Sequence, residues 1–148
     1  MLVAVDPGVH ACGVAVFRDT KLERAAYVES GGGPLQLRDA VKHWLALTEP
    51  ARLVVEKPQV YQARLQKGDP NDLIDLAVVV GTMLTILPDS ETVLPARWKG
   101  QVPKEIMNVR VMSKLAPAEE ARVSWPKARL RHNVIDAIGI GLWAVGRL

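Results

Sequence analysis

The chain opens with two short apolar runs separated by a carboxylate and a tight turn. Leu2–Val5 is unbroken, Asp6-Pro7-Gly8 follows it, and Gly13–Phe17 is apolar again. An apolar run of this length, closed by turn residues, reads as a buried strand. The second run lies close enough to pair with the first as a hairpin. Ala25–Ser30 supplies a third strand, and Gly31–Gly33 is a flexible break.

The periodicity then changes. Leu37, Val41, Trp44, Leu45 and Thr48 recur at helical spacing, which predicts an amphipathic helix over Pro34–Thr48. Leu53–Val55 is a fourth strand that stops at Glu56, with Pro58 just beyond. Lys57–Pro70 is a polar loop holding Tyr61, Arg64 and Lys67. Asn71 or Asp72 is placed to cap a helix reaching about Leu87. That helix is apolar on almost every side, from Leu73 and Ile74 through Val78, Val79, Met83 and Leu84. Such a helix must be covered on every side, and in a chain of 148 residues a subunit interface is the expected cover.

Thr92–Leu94 is a short fifth strand stopped by Pro95. Pro103 suits the first turn of a helix running to about Lys114. Residues 116–131 read as irregular and basic, and a last helix runs from about Arg131–Asn133 to the end. Its Gly139, Gly141 and Gly146 each cost roughly 1 kcal/mol against Ala, so close packing against the sheet is expected. The order β-β-β-α-β-α-β-α-α predicts an α/β fold. It has a five-stranded mixed sheet, an antiparallel three-strand meander followed by parallel strands, with flanking helices on both faces. One domain is expected to span residues 1–148, with no internal repeat.

Composition narrows the partners. The net charge of +3 is unevenly spread. Residues 1–96 carry nine Lys/Arg against twelve Asp/Glu, whereas residues 97–131 carry nine against three. A basic block beside an acidic remainder suggests a polyanion partner. The lone cysteine, Cys12, excludes an intrachain disulfide and fits a reducing compartment. The apolar opening is interrupted at Asp6 and lacks a basic leader, so it does not read as a signal peptide. No run reaches the roughly 18 apolar residues of a membrane span. An intracellular, cytoplasmic protein with no membrane partner is expected.

Three carboxylates stand out. Asp6 and Glu56 each sit where an apolar strand stops. If those strands are parallel neighbours, both acids emerge at the carboxyl end of the sheet, where open α/β sheets bind ligands. Asp136 lies one turn into a helix otherwise made of Val134, Ile135, Ala137 and Ile138. Three converging carboxylates repel one another. A divalent cation removes that cost, and oxygen-only ligands favour Mg²⁺ or Mn²⁺.

The pattern resembles the RNase H-like nucleases, and RuvC-type Holliday junction resolvases in particular. The segment VAVDPGVHACGVAVF is similar to that family's opening strand-turn-strand, LVVEKP to its fourth strand, LPARWKGQVPKEIMNVRV to its lysine-bearing segment, and RHNVIDAIGIGLW to its last helix. The resemblance runs over nearly the whole chain. It implies a crossover junction endodeoxyribonuclease in which Asp6, Glu56 and Asp136 hold two Mg²⁺ ions, with Mn²⁺ able to substitute. Asn133 stands where the family carries Asp or His, and His132 lies beside it. Either is able to complete the site, being three and four residues before Asp136 on one helix face.

The resemblance also implies DNA contacts. Lys99 and Lys104 would meet phosphates near the scissile bond. Tyr61 would stack on an unpaired base, with Arg64 and Arg97 adding charge. A four-way junction is cut on two opposed strands, so a homodimer joined through the apolar helix 72–87 is expected. Two other readings stand beside this one. The first is an RNase H-like or YqgF-type nuclease acting on RNA or hybrid. The second is a catalytically weak, structure-specific junction binder.

Overall fold

In the computed structural model, residues 1–60 and 69–148 are described. Tyr61 and Arg64 lie outside them. Strands β1 (Leu2–Pro7), β2 (Ala11–Arg18) and β3 (Lys21–Glu29) form the expected antiparallel meander. β4 (Arg52–Glu56) runs parallel to β1, and β5 (Ser90–Val93) parallel to β4. The described sheet has six strands rather than the expected five, in the order β5-β4-β1-β2-β3-β6. The addition is the two-residue β6 (Val123–Ser124), parallel to β3.

The helices sort to the two faces as the strand alternation requires. Val3, Val5, Val14, Val16, Leu53 and Val55 face α1 (Pro34–Trp44) and α2 (Pro70–Met83), where Leu37, Val41, Val79 and Met83 close one core. Leu2, Ala4, Ala15, Phe17 and Val54 share the second core with Met107, Val111, Ile138 and Leu142. These last four come from α4 (Lys104–Ser113) and α6 (Arg131–Ala144). The short α3 (Pro95–Trp98) seats Trp98 in this second core.

The segment 116–131 is more ordered than its polarity suggested. It contains α5 (Pro117–Glu120), β6 and a single 3₁₀ turn at Ala128–Leu130. One buried carboxylate organises it. Glu119 accepts from the backbone N–H of Leu22 at 2.7 Å and of Ala116 at 2.9 Å. It also takes two hydrogen bonds from Arg147, at 2.7 and 3.0 Å. These donors pull the Glu119 carboxyl down to about 2, the Arg147 guanidinium contributing most. The carboxylate thereby ties α5 to β3 and to the C-terminal residues.

Helix α2 begins one turn earlier than its capping signals suggested. Pro70 occupies the first position, so Asp69 is the cap and accepts from the Asn71 N–H at 2.9 Å. Val79, Val80 and Met83 are buried, whereas Ile74 and Val78 are 62% and 52% exposed. Among the described residues, the helix is thus covered on one side only. No described helix is long and apolar enough to cross a membrane.

One of the three C-terminal glycines, Gly141, packs against the sheet as expected, and Gly139 packs instead against the neighbouring helices. A Cβ at Gly139 would lie 2.5 Å from the Trp98 ring, and one at Gly141 would lie 2.1 Å from the Phe17 ring. Gly146 instead adopts φ 76° just past α6, a left-handed conformation that helps end the helix. Phe17 is fully buried and has no room to yield. Gly141→Ala is therefore expected to destabilise the fold by roughly 1–3 kcal/mol through overpacking. Urea unfolding measures this, and an unchanged midpoint would contradict the close contact.

Candidate active site

The two strand-end acids stand side by side. Val5 pairs with Val55 across the parallel β1–β4 ladder, so Asp6 and Glu56 occupy the next level. Ala4 and Val54 point into the α6-side core, and side chains two residues further on point the same way. Asp6 and Glu56 therefore emerge on the α6 face at the carboxyl end of their strands. The same level continues across the sheet: Asp6 pairs with Gly13 on β2, and Gly13 with Tyr27 on β3.

Gly13 is what lets α6 reach this row. A Cβ there would lie 1.9 Å from the Asn133 carbonyl oxygen. The first turn of α6 thus rests directly on the β2 backbone, and Asp136 follows one turn later. Asp136 is buried, at 8% exposure. It raises the Asp6 pKa by charge repulsion, and so does Glu56, which puts all three acids within electrostatic reach of one another. The three acids thus lie toward the same end of the sheet.

Two lysines sit against the outer acids. Lys99 Nζ lies 3.5 Å from Glu56, and Lys104 Nζ lies 3.9 Å from Asp136. Both lysines keep solvent access, with side chains 29% and 53% exposed, so each can also face a phosphate. Arg97, on α3, is exposed and pairs with neither acid. His132 and Asn133 are half-buried at the start of α6, and the Asn133 amide donates to the Leu130 carbonyl at 3.3 Å.

Trp98 was not among the expected site residues. It does pack, but its indole N–H also donates to Glu56 Oε2 at 2.5 Å. Lys99 Nζ sits 4.7 Å from the same ring, a cation–π distance. The available signal was the Trp98-Lys99 pair directly after the strand-ending Pro95.

The electrostatics are lopsided. Asp6 keeps some accessible surface but is densely surrounded by protein. Its pKa is raised well above the ordinary value, first by desolvation, then by Asp136 and Glu56, with Lys99 and Lys104 opposing. Desolvation also raises Glu56, against the pull of Lys99 and of the Trp98 hydrogen bond. Cys12, beside this end of the sheet, is pushed up to about 12 by burial and the Asp6 charge. The site therefore holds more negative charge than its lysines neutralise. Among the described residues, no three His, Cys, Asp or Glu side chains are drawn together closely enough to hold one ion. The donor set is nonetheless all oxygen, and its central member is destabilised as an anion. That chemistry suits a hard divalent cation.

The sequence matches no protein-family model and no curated protein. The fold has solved counterparts. One is RuvC of T. thermophilus in complex with a Holliday junction substrate, at TM-score 0.67 and 18% identity over 95% of this chain and 89% of that one. A second Thermus thermophilus RuvC structure gives 0.61 and 17%, over 95% and 90%. The yeast mitochondrial Holliday junction resolvase gives 0.55 and 7%, over 97% and 78%. The fold is thus RNase H-like, as the meander and the parallel strands beside it suggested. Within that class it is the fold of the RuvC-type Holliday junction resolvases.

The pH dependence follows from the raised carboxyls. The unfolded chain ionises Asp6 near pH 4, while the folded chain keeps the proton to higher pH. Between those two values the folded state binds more protons, so stability falls as pH rises. Metal-free protein is expected to melt at lower temperature as pH climbs through this window. Asp6→Asn should flatten the slope and melt higher at neutral pH. Calorimetry at several pH values checks this, and an unaltered slope in the variant would count against Asp6 as its source.

Proposed function

We propose that the protein is an endodeoxyribonuclease that resolves four-way DNA junctions by divalent-metal-dependent hydrolysis. The observation that carries this reading is the row Glu56–Asp6 with Asp136 above it, flanked by Lys99 and Lys104, on a RuvC-type sheet. A neighbour of that fold is a RuvC in complex with a Holliday junction substrate. The basic block over residues 97–131 supports a nucleic-acid partner.

In this reading Asp6, Glu56 and Asp136 would hold two Mg²⁺ or Mn²⁺ ions, with Asn133 or His132 completing a shell or orienting water. Bound there, such ions supply an activated water and neutralise charge in an in-line phosphoryl displacement. The chain's own groups do the positioning. The Trp98 indole fixes one Glu56 oxygen, so its partner oxygen keeps a defined direction. The Asn133–Gly13 contact holds the first turn of α6 on the sheet, and with it Asp136. Lys99 and Lys104 hold positive charge beside the carboxylates, where the phosphates of a DNA strand would run.

Paired nicks on a near-two-fold junction need two sites related by symmetry. In this reading the outer side of helix α2 would supply the homodimer face. Ile74 and Val78 are one turn apart on it and exposed, while its other side is sealed by Val79, Val80 and Met83. Val78→Glu is expected to give a folded monomer by light scattering that loses coordinated double nicking. A dimer that survives this substitution would move the interface elsewhere.

The decisive assay incubates the protein and Mg²⁺ or Mn²⁺ with a four-way junction, a linear duplex and an RNA/DNA hybrid. Symmetric cutting confined to the junction is expected. Cutting of hybrid alone would replace this reading with a hybrid nuclease, and binding without cutting would replace it with a junction binder. Asp6→Asn should lose cleavage by roughly a hundredfold or more yet keep junction affinity. Undiminished metal-dependent cutting by that variant would end the mechanism.

A further inference from the structure

A second concavity lies beside the carboxylates, toward β3 and β6. It encloses about 430 Å³ and is lined by Tyr27, Glu29, Trp125, Lys127 and Arg129, among others. That volume suits a small organic ligand. None of these residues takes part in the carboxylate site, and none was singled out as a site residue in the sequence.

Its position follows from the register. Asp6, Gly13 and Tyr27 are successive partners across β1, β2 and β3. Directly paired residues project on the same face, and two strand spacings put Tyr27 about 10 Å from Asp6. On the far side of β3, Ala25 pairs with Val123 and Ala26 with Ser124, so Trp125 comes level with Tyr27. The two aromatics therefore extend the row that holds Glu56 and Asp6. The Gly13–Asn133 contact lies between the acids and the pocket along this row.

The lining favours one kind of ligand. Trp125 and Tyr27 are half-buried and offer ring surface. Lys127 and Arg129 are exposed at the mouth, and Arg131 lies 5.8 Å from the Trp125 ring centroid. Aromatic platforms interleaved with cations are how proteins hold unpaired nucleotides. Glu29 argues against a bare anion, which it would repel. A nucleobase reconciles the three features. Its face stacks on the rings, an exocyclic amine donates to Glu29, and its phosphate meets the cations.

We infer that this pocket binds an unpaired nucleotide of the DNA strand whose backbone crosses the carboxylates. Its base stacks on Trp125 and Tyr27, and its phosphate is held by Lys127 and Arg129. The path of the strand rests on the nuclease reading above. The pocket would hold the strand on the β3 side of the cut, opposite Lys99 on the β4 side.

The test uses full-length protein and a single-stranded oligodeoxycytidine eight-mer, with affinity read from fluorescence anisotropy and stacking from tryptophan quenching. Wild type is expected to bind with quenching. Trp125→Leu should lose the quench and bind on the order of tenfold more weakly, while Trp125→Phe restores most of the affinity. The double variant Lys127→Ala/Arg129→Ala, at exposed positions, should fold normally, bind more weakly and show a shallower salt dependence. Equal affinity and quenching in Trp125→Leu and wild type would overturn the pocket, even if wild type cuts junctions. Quenching that depends on Trp125 in a protein that cuts no junction would keep the pocket and remove the nuclease reading instead. Deoxycytidine monophosphate competing as well as the eight-mer would overturn the strand assignment in favour of a free nucleotide.

Discussion

The seating of α6 on β2 governs what this molecule is able to do. Side chains ordinarily hold a helix away from a sheet, but at Gly13 there is none, and the Asn133 carbonyl fills the space. Gly141 repeats the device two turns further along, against Phe17, and Gly139 makes room for Trp98 of α3. Each glycine inside the helix weakens it locally. The return is a helix axis that passes close over β1 and β2, so a residue one turn into it reaches a carboxylate at a strand end. Without that approach Asp136 would belong to a separate surface, and Asp6 and Glu56 would be two strand-end acids without a third.

The same closeness creates the electrostatic problem that defines the site. Asp6 is crowded by two acids and stripped of much of its water. The fold offsets only part of this, with one lysine on each outer acid and one indole on Glu56. All three helpers touch the outer acids, and Asp6 has no such partner among the described hydrogen bonds. A structural ion-pair network would have supplied a cation to the most crowded of the three acids. Leaving the central acid unserved suits the proposed binding of cations from outside.

Much of this was legible from residue order. The apolar run ending in Asp6-Pro7-Gly8 and its repeat at Gly13–Phe17 predicted the hairpin, and the acids at strand ends followed from where those runs stop. The parallel pairing of β1 and β4, on which their convergence depended, is found as expected. What escaped the sequence was set by contacts distant along the chain. Segment 116–131 looked irregular because nothing local reveals that Glu119 will bond to Leu22 and Arg147, and with that anchor came the sixth strand. The Trp98–Glu56 bond escaped the sequence because Glu56 ends a strand far from Trp98 along the chain. The Asp69 cap was passed over because Asn71 and Asp72 are equally good cap types, and only Pro70 decides between them.

The two faces of the sheet divide the work. On the α1–α2 side the fully buried strand positions are aliphatic or Cys12, and α2 leaves Ile74 and Val78 exposed on its outer side. On the α6 side the terminal row changes character from β4 to β6: carboxylates at Glu56 and Asp6, a bare backbone at Gly13, then aromatics at Tyr27 and Trp125. Cations stand at both ends of that row, Lys99 at one and Lys127 with Arg129 at the other. A polyanion laid along it would meet positive charge at each end and negative charge in the middle. Bound cations would have to make up the difference there. A strand held at its two ends over a charge-deficient centre is positioned by the protein and neutralised by what the protein recruits. In the proposed reading, binding and hydrolysis thereby fall to different residues of a single row.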